Sequence, residues 1–195
     1  QINVSQKKSG KLPEMLSMDP SDGGGFSTSS SSLKIGGPSE QAFYLANRVA
    51  FEVRRKYPSV RIGLYAYNLH AVPPTFPLEP NIVVLLATAM NQSEYRTDEL
   101  IELWRNKGVQ VGIRDYLGVL AWDWDMPGKV RGGKLNYVSQ LKNYYQQGVR
   151  YFSAETNIGW ISRGLGHYIA AQLLWDKDSD IKKLEVCVLK VNLGT

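Results

Sequence analysis

The sequence predicts an α/β fold: about five parallel strands alternating with helices, arranged either as a doubly wound sheet or as part of a (β/α)8 barrel. Three observations carry this expectation. The segments KGVQVGIRD (107–115) and QGVRYFSAE (147–155) share one pattern of helix end, glycine, valine, strand and acid, the repetition expected of βα units. The run NIVVLLAT (81–88) is apolar without alternation, as in a strand buried on both faces. Polar residues follow every candidate strand, and the C-terminal rim of parallel strands is where such enzymes keep their chemistry.

Taken in order, residues 1–13 are polar and read as the tail of a helix. Leu16 to Phe26, LSMDPSDGGGF, is a short apolar run that stops at Asp19, Asp22 and three glycines, a strand ending at a polar, flexible rim. Ser27 to Ser32 and Gly36-Gly37-Pro38 read as a loop. Ser39 caps a helix running to about Tyr57, with Ala42, Leu45, Ala46, Val49 and Val53 on its apolar face and Pro58 past its end. Val60 to Tyr67 is the next strand, with Asn68 and His70 at its exit. Pro73, Pro74, Pro77 and Pro80 then forbid a helix. Met90 and Asn91 follow the buried strand at 81–88.

A helix spans about Thr97 to Asn106, with Leu100, Ile101, Leu103 and Trp104 apolar and Gly108 suited to its C′ position. Val109 to Ile113 is a strand leading into Arg114-Asp115-Tyr116 and the loop AWDWDMPG (121–128). A helix at Leu135 to Gln146, a strand at Val149 to Ala154 and a helix at Leu165 to Trp175 complete the series, with Glu155 and a loop containing Trp160 between the last two. The tail from Asp180 contains LEVCVLKVNL, whose alternation suits a strand and whose place after a helix suits either element.

The 195 residues suffice for a single domain. No apolar run approaches the roughly 18–20 residues of a membrane span, and no signal peptide is visible; the chain starts at Gln1, so its true N-terminus is expected to be missing. The net charge of +5 comes from scattered pairs and triplets such as Arg54-Arg55-Lys56, which read as solvated helix ends rather than a nucleic-acid surface. The single cysteine, Cys187, excludes an internal disulfide and a cysteine-based zinc site. Two histidines argue against a histidine-only metal site. No glycine-rich phosphate loop opens a helix, so nucleotide binding is disfavoured and no cofactor is expected.

The blocks SMDPSDGGGF (17–26), LANRVAFEVRRKYPSVRIGLYAY (45–67), PNIVVLLAT (80–88), GVRYFSAETNIGW (148–160) and YIAAQLLWD (168–176) together resemble the DUF4838 family. This is a bacterial domain of glycoside-hydrolase-like proteins, related in architecture to α-glucuronidases. The resemblance covers about Leu16 to Asp178. It implies a (β/α)8 barrel acting on oligo- or polysaccharide, of which this chain holds strands four to eight. It also implies a missing N-terminal part of the barrel and a secreted or periplasmic location. The tail LEVCVLKVNLGT stands where the family continues in a helix.

Cleaving a glycosidic bond takes two carboxyl groups, one as acid and one as base or nucleophile. Four acids at strand exits are candidates. Glu155 directly follows the apolar YFSA, Asp22 adjoins glycines that admit a close approach, Asp19 precedes Pro20, and Asp115 adjoins Arg114. Acid and base are not assigned among them. Trp122, Trp124, Trp160, Tyr67 and Tyr116 fall in or beside rim loops, where aromatic faces stack on sugar rings. Asn68, His70 and Asn91 are candidates to bond sugar hydroxyls, although a surface position is the plainer reading of His70. Trp104 and Trp175 read as helix core. Two rival readings are a carbohydrate-binding barrel without catalysis and a metal-dependent sugar isomerase or lyase holding Mg²⁺ or Mn²⁺ on strand-end acids.

Overall fold

The structure, a computed structural model, describes residues 2–22, 24–117, 135–156 and 160–193. Its elements run α1 (Ile2–Ser9), β1 (Met15–Ser17), α2 (Ser30–Leu33), α3 (Pro38–Lys56), β2 (Arg61–Asn68), β3 (Ile82–Asn91), α4 (Thr97–Asn106), β4 (Gln110–Leu117), α5 (Leu135–Gln146), β5 (Tyr151–Thr156), α6 (Trp160–Trp175) and α7 (Ile181–Leu193). The sheet order is β1-β2-β3-β4-β5. A doubly wound sheet reverses its strand order at a switch point. This consecutive order does not, so the fold is a partial (β/α)8-type barrel of parallel strands with helices. None of the described helices is long and apolar enough to cross a membrane.

The chain divides into two compact units, Gln1–Arg114 and Asp115–Thr195. In the first, the parallel registers Ile62↔Ile82, Leu64↔Val84 and Ala66↔Leu86 continue as Val84↔Val111 and Leu86↔Ile113. These five pairings make three rows on one face, and every residue in them is buried. α3 packs on β2 and α4 on β3, supplying buried Phe43, Ala46, Ala50, Leu100, Ile101 and Trp104. The Phe43 and Trp104 rings meet at 4.7 Å, and Trp104 Nε1 donates to the Ala71 carbonyl at 2.8 Å. Each of the larger apolar side chains among these contributes about 1.5–3 kcal/mol by leaving water. The alternate residues of the strands are mixed: Gly63, Tyr65, Leu85 and Arg114.

The apolar face of α3 differs from the expected one. Phe43, Ala46 and Ala50 point inward, while Leu45 is 60% exposed and Ala42, Val49 and Val53 are half-buried. The large ring of Phe43, drawn onto Trp104, sets the rotation of the helix. Ser39 is not the cap. Gly37 is, with Pro38 at the first helical position, and the Glu40 carboxylate accepts from the Gly37 N–H at 3.1 Å. Ser39 lies inside the first turn, where its hydroxyl donates to the Val72 carbonyl at 2.8 Å. The serine run is not all loop, because Ser29 caps the single-turn helix α2 through the Ser32 N–H.

In the second unit α5 packs on α6 and α6 on α7, around buried Leu141, Tyr144, Val149, Ile169, Ala170 and Leu173. The shared βα pattern is real geometry: Gly108 and Gly148 take φ of 78° and 90°, and Val109 and Val149 behind them are both buried. The tail is helical. The Asp180 carboxylate accepts from the Lys182 and Lys183 N–H groups at 3.0 and 3.3 Å, an N-terminal cap that decides between helix and strand. Trp160 begins α6 rather than lying in a loop. Trp175, expected in the core, is 92% exposed, because α6 ends at this residue and Asp176 turns the chain away.

Candidate functional site

The carboxyl ends of β1, β2 and β3 form a polar rim in the first unit. β1 is only three residues long, and Asp19 extends its ladder. Met18 N–H donates to the Gly63 carbonyl at 2.9 Å, and the next position on β2, Tyr65 N–H, donates to Asp19 Oδ1 at 2.6 Å. The Ser17 hydroxyl bonds the other Asp19 oxygen. A side-chain carboxylate thus takes the place of a backbone carbonyl as the chain turns at Pro20. Both oxygens of Asp19 therefore serve the sheet.

Asp22 lies further out, exposed, and its Oδ1 accepts from the Tyr67 hydroxyl at 2.9 Å. The Tyr67 ring is buried and meets the His70 ring edge-on at 4.7 Å, while Phe26 closes on His70 from another side at 5.5 Å. His70 is fully buried rather than at the surface, since its N–H bonds the Tyr67 carbonyl at 3.0 Å and this turn folds the imidazole inward. Neither ring nitrogen has a hydrogen-bond partner among the described residues. Burial pushes the His70 pKa below 6.5, with the Asp19 charge pulling the other way.

Two non-glycine residues at the rim take left-handed backbone, Asn68 (φ 51°) at the end of β2 and Met90 (φ 58°) near the end of β3. The register shifts between Ala66 and Asn68, after which Asn68 faces Asn91. Asparagine tolerates this region; methionine rarely enters it, and such strain collects at functional positions. The Asn91 amide shapes the turn into α4: its nitrogen donates to the Tyr95 carbonyl at 2.6 Å, and its oxygen accepts from the Ser93 N–H and hydroxyl at 2.9 and 2.7 Å. A cleft of about 550 Å³ between these exits is lined by Asn68, Ser93, Glu94 and Tyr95, and another of about 510 Å³ by Asp19, Pro20, Phe26 and Leu45.

Of the other sequence candidates, Asp115 is fully buried and shares its face of β4, by strand alternation, with Val111 and Ile113. Its Oδ1 accepts from the Tyr116 N–H at 2.8 Å. Arg114, on the opposite face, lies over the Tyr65 ring at 5.2 Å. Glu155 is half-buried within β5. The rings of Tyr67 and Tyr116 are buried, so in this structure neither offers a face for stacking. Trp122 and Trp124 lie outside the described residues, as does the side chain of Trp160.

Of the residues singled out by sequence reasoning, the structure brings Asp19, Asp22, Tyr67, Asn68 and His70 to this rim. Sequence reasoning missed Phe26, Ser17, Tyr65, Arg114 and Met90. Phe26 was signalled by its place directly after the glycines, and Tyr65 by its alternation with Tyr67. Among the described residues no group of three or more His, Cys, Asp or Glu is placed to hold a metal ion.

No curated protein and no solved structure matches the chain. A family model does, over residues 26–194, and its description is "Domain of unknown function (DUF4838)". The match takes in Asp115, Glu155 and the tail helix, and starts after Asp19 and Asp22.

Proposed function

The chain belongs to the DUF4838 family, and from that premise we propose that it is a carbohydrate-active protein, a glycoside hydrolase for which Asp22 and Glu155 are the candidate catalytic carboxylates. The observation that carries the proposal is Asp22: an exposed carboxylate just beyond a strand end, oriented by a phenol and flanked by glycine. A catalytic carboxylate needs this combination of access and fixed direction. Asp19 and Asp115 fit the role less well, because the first extends the sheet and the second is buried on the apolar face of its strand. In this reading each of the two carboxylates is a candidate for the acid or for the base or nucleophile role, and neither role is assigned. Trp122, Trp124 and Trp160 supply the stacking surface for an oligo- or polysaccharide. β1 ends the sheet among the described strands, and the rest of the barrel is a segment pairing with its open edge. Secretion or the periplasm suits a polysaccharide substrate.

A second reading, binding without catalysis, is favoured by one specific observation. Two of the four strand-exit acids are already committed to backbone N–H groups, Asp19 to Tyr65 and Asp115 to Tyr116. Reducing-sugar release from a panel of oligosaccharides, run beside calorimetric binding, separates the two. Release by the wild type and its loss in Asp22→Asn and Glu155→Gln with binding retained is the outcome expected of the hydrolase. Binding with no release supports the second reading. Neither binding nor release removes both.

A further inference from the structure

His70 is a buried polar group that no structural role accounts for. Its imidazole is fully buried, and both ring nitrogens lack partners among the described residues. A buried donor or acceptor left unpaired is destabilising, and native chains keep few of them. Two aromatic rings, Phe26 and Tyr67, meet the imidazole at T-shaped angles of 67° and 70°, a packing that a phenylalanine ring at this position would also make. It lies two residues past the end of β2, at the functional end of a parallel strand, behind the Asp22–Tyr67 hydrogen bond.

The cover over it is thin. Phe26 is half-buried, and it follows Gly24 and Gly25, where an added Cβ would meet nothing within 4 Å. Gly25 takes φ of 89°, a conformation in which glycine alone is unstrained. The open space beside Gly24 and Gly25 leaves this backbone room to move, so displacing the Phe26 ring is a local event rather than an unfolding one.

We propose that His70 is a hydroxyl-binding group of the rim, gated by Phe26: when the Phe26 ring swings aside, the imidazole meets adjacent hydroxyls of a sugar. One ring nitrogen accepts from one hydroxyl and the other donates to its neighbour, which satisfies both atoms that the closed state leaves unpaired. The Tyr67 hydroxyl and the Asp22 carboxylate border the opened site. The ligand class rests on the carbohydrate reading above; the gate does not.

The test uses the full chain and its two histidines. Diethyl pyrocarbonate acylates accessible imidazoles, and peptide mapping reads His70 against His167 as an internal reference. Phe26→Ala is expected to raise the His70 rate about tenfold with the His167 rate unchanged. Phe26→Leu, which keeps an apolar side chain, is expected to fall between, and a melting curve establishes that each variant is folded. Modification of His70 only at denaturant concentrations that unfold the chain, or equal rates in folded wild type and both variants, overturns the gate. NMR signals of the His70 ring are then followed with cellotriose, xylotriose and glucuronic acid. A shift at His70, stronger in Phe26→Ala, supports the proposal. Calorimetric binding of a sugar that leaves His70 unmoved overturns the role of His70 while the carbohydrate reading stands. No binding of any sugar, with the gate open, overturns both that reading and the ligand given to His70.

Discussion

Replacing His70 with phenylalanine is expected to stabilise the protein, an unusual result for a fully buried side chain. The histidine buries one donor and one acceptor with no partner among the described residues. Each such atom is worth about 1–3 kcal/mol of lost hydration, less whatever local relaxation recovers. Phenylalanine keeps a ring against Tyr67 and Phe26 and removes both atoms. It is larger, and overpacking returns about 1 kcal/mol or more. The balance is a gain of about 1 kcal/mol near neutral pH, or about 2–4 °C in Tm for a chain of this size. The pH dependence sharpens the test. The folded-state pKa of His70 lies below its unfolded value of 6.5, so between the two the unfolded chain binds more protons. Wild-type stability should therefore fall as pH drops through about 6.5, and this component should vanish in His70→Phe. Urea melts at a series of pH values between about 5 and 8 measure both effects. A variant less stable than wild type by more than about 1 kcal/mol at pH 7, or a difference between the two that does not change with pH, refutes the reasoning.

Two further outcomes follow from the rim and the helix ends. Asp19→Ala should cost about 1–2 kcal/mol, since it strips the Tyr65 N–H and the Ser17 hydroxyl of their acceptor, while Asp19→Asn should recover part of this; urea midpoints decide it. Gly108→Ala should cost about 1 kcal/mol, because φ of 78° is unfavourable for alanine although open space surrounds the added methyl; a Tm unchanged within error would contradict it.

The βα grammar was legible because it rests on local rules. A left-handed glycine after a helix and a buried valine behind it recur at Gly108-Val109 and Gly148-Val149, and both read correctly. The bounds of α4 and α5 followed from the same logic. The rotation of α3 was not legible, because Phe43 and Leu45 compete for the inward position and the choice depends on Trp104, sixty-one residues after Phe43 in the sequence. The tail was ambiguous by periodicity and was decided by a cap, Asp180. At the rim, composition marked the acids but not their duties. Asp19 and Asp22 look alike in DPSD, yet one completes a ladder with a strand forty-six residues away and the other bonds a phenol. The burial of His70 follows from a turn that no spacing rule encodes. The sequence signal of Asn68 and His70 is only their place after a strand, while the strain at Met90 has none, because methionine is not a residue one expects in left-handed backbone.

The proposed hydrolase activity requires a division of labour among four carboxylates. It is tested most directly by measuring Tm and reducing-sugar release side by side for Asp19→Asn, Asp22→Asn, Asp115→Asn and Glu155→Gln. The expected result is that Asp19→Asn and Asp115→Asn lower Tm and keep the turnover of whatever protein remains folded, while Asp22→Asn and Glu155→Gln keep Tm and lose turnover. Unchanged turnover in Asp22→Asn and Glu155→Gln, or its loss in Asp19→Asn or Asp115→Asn at wild-type Tm, would contradict it.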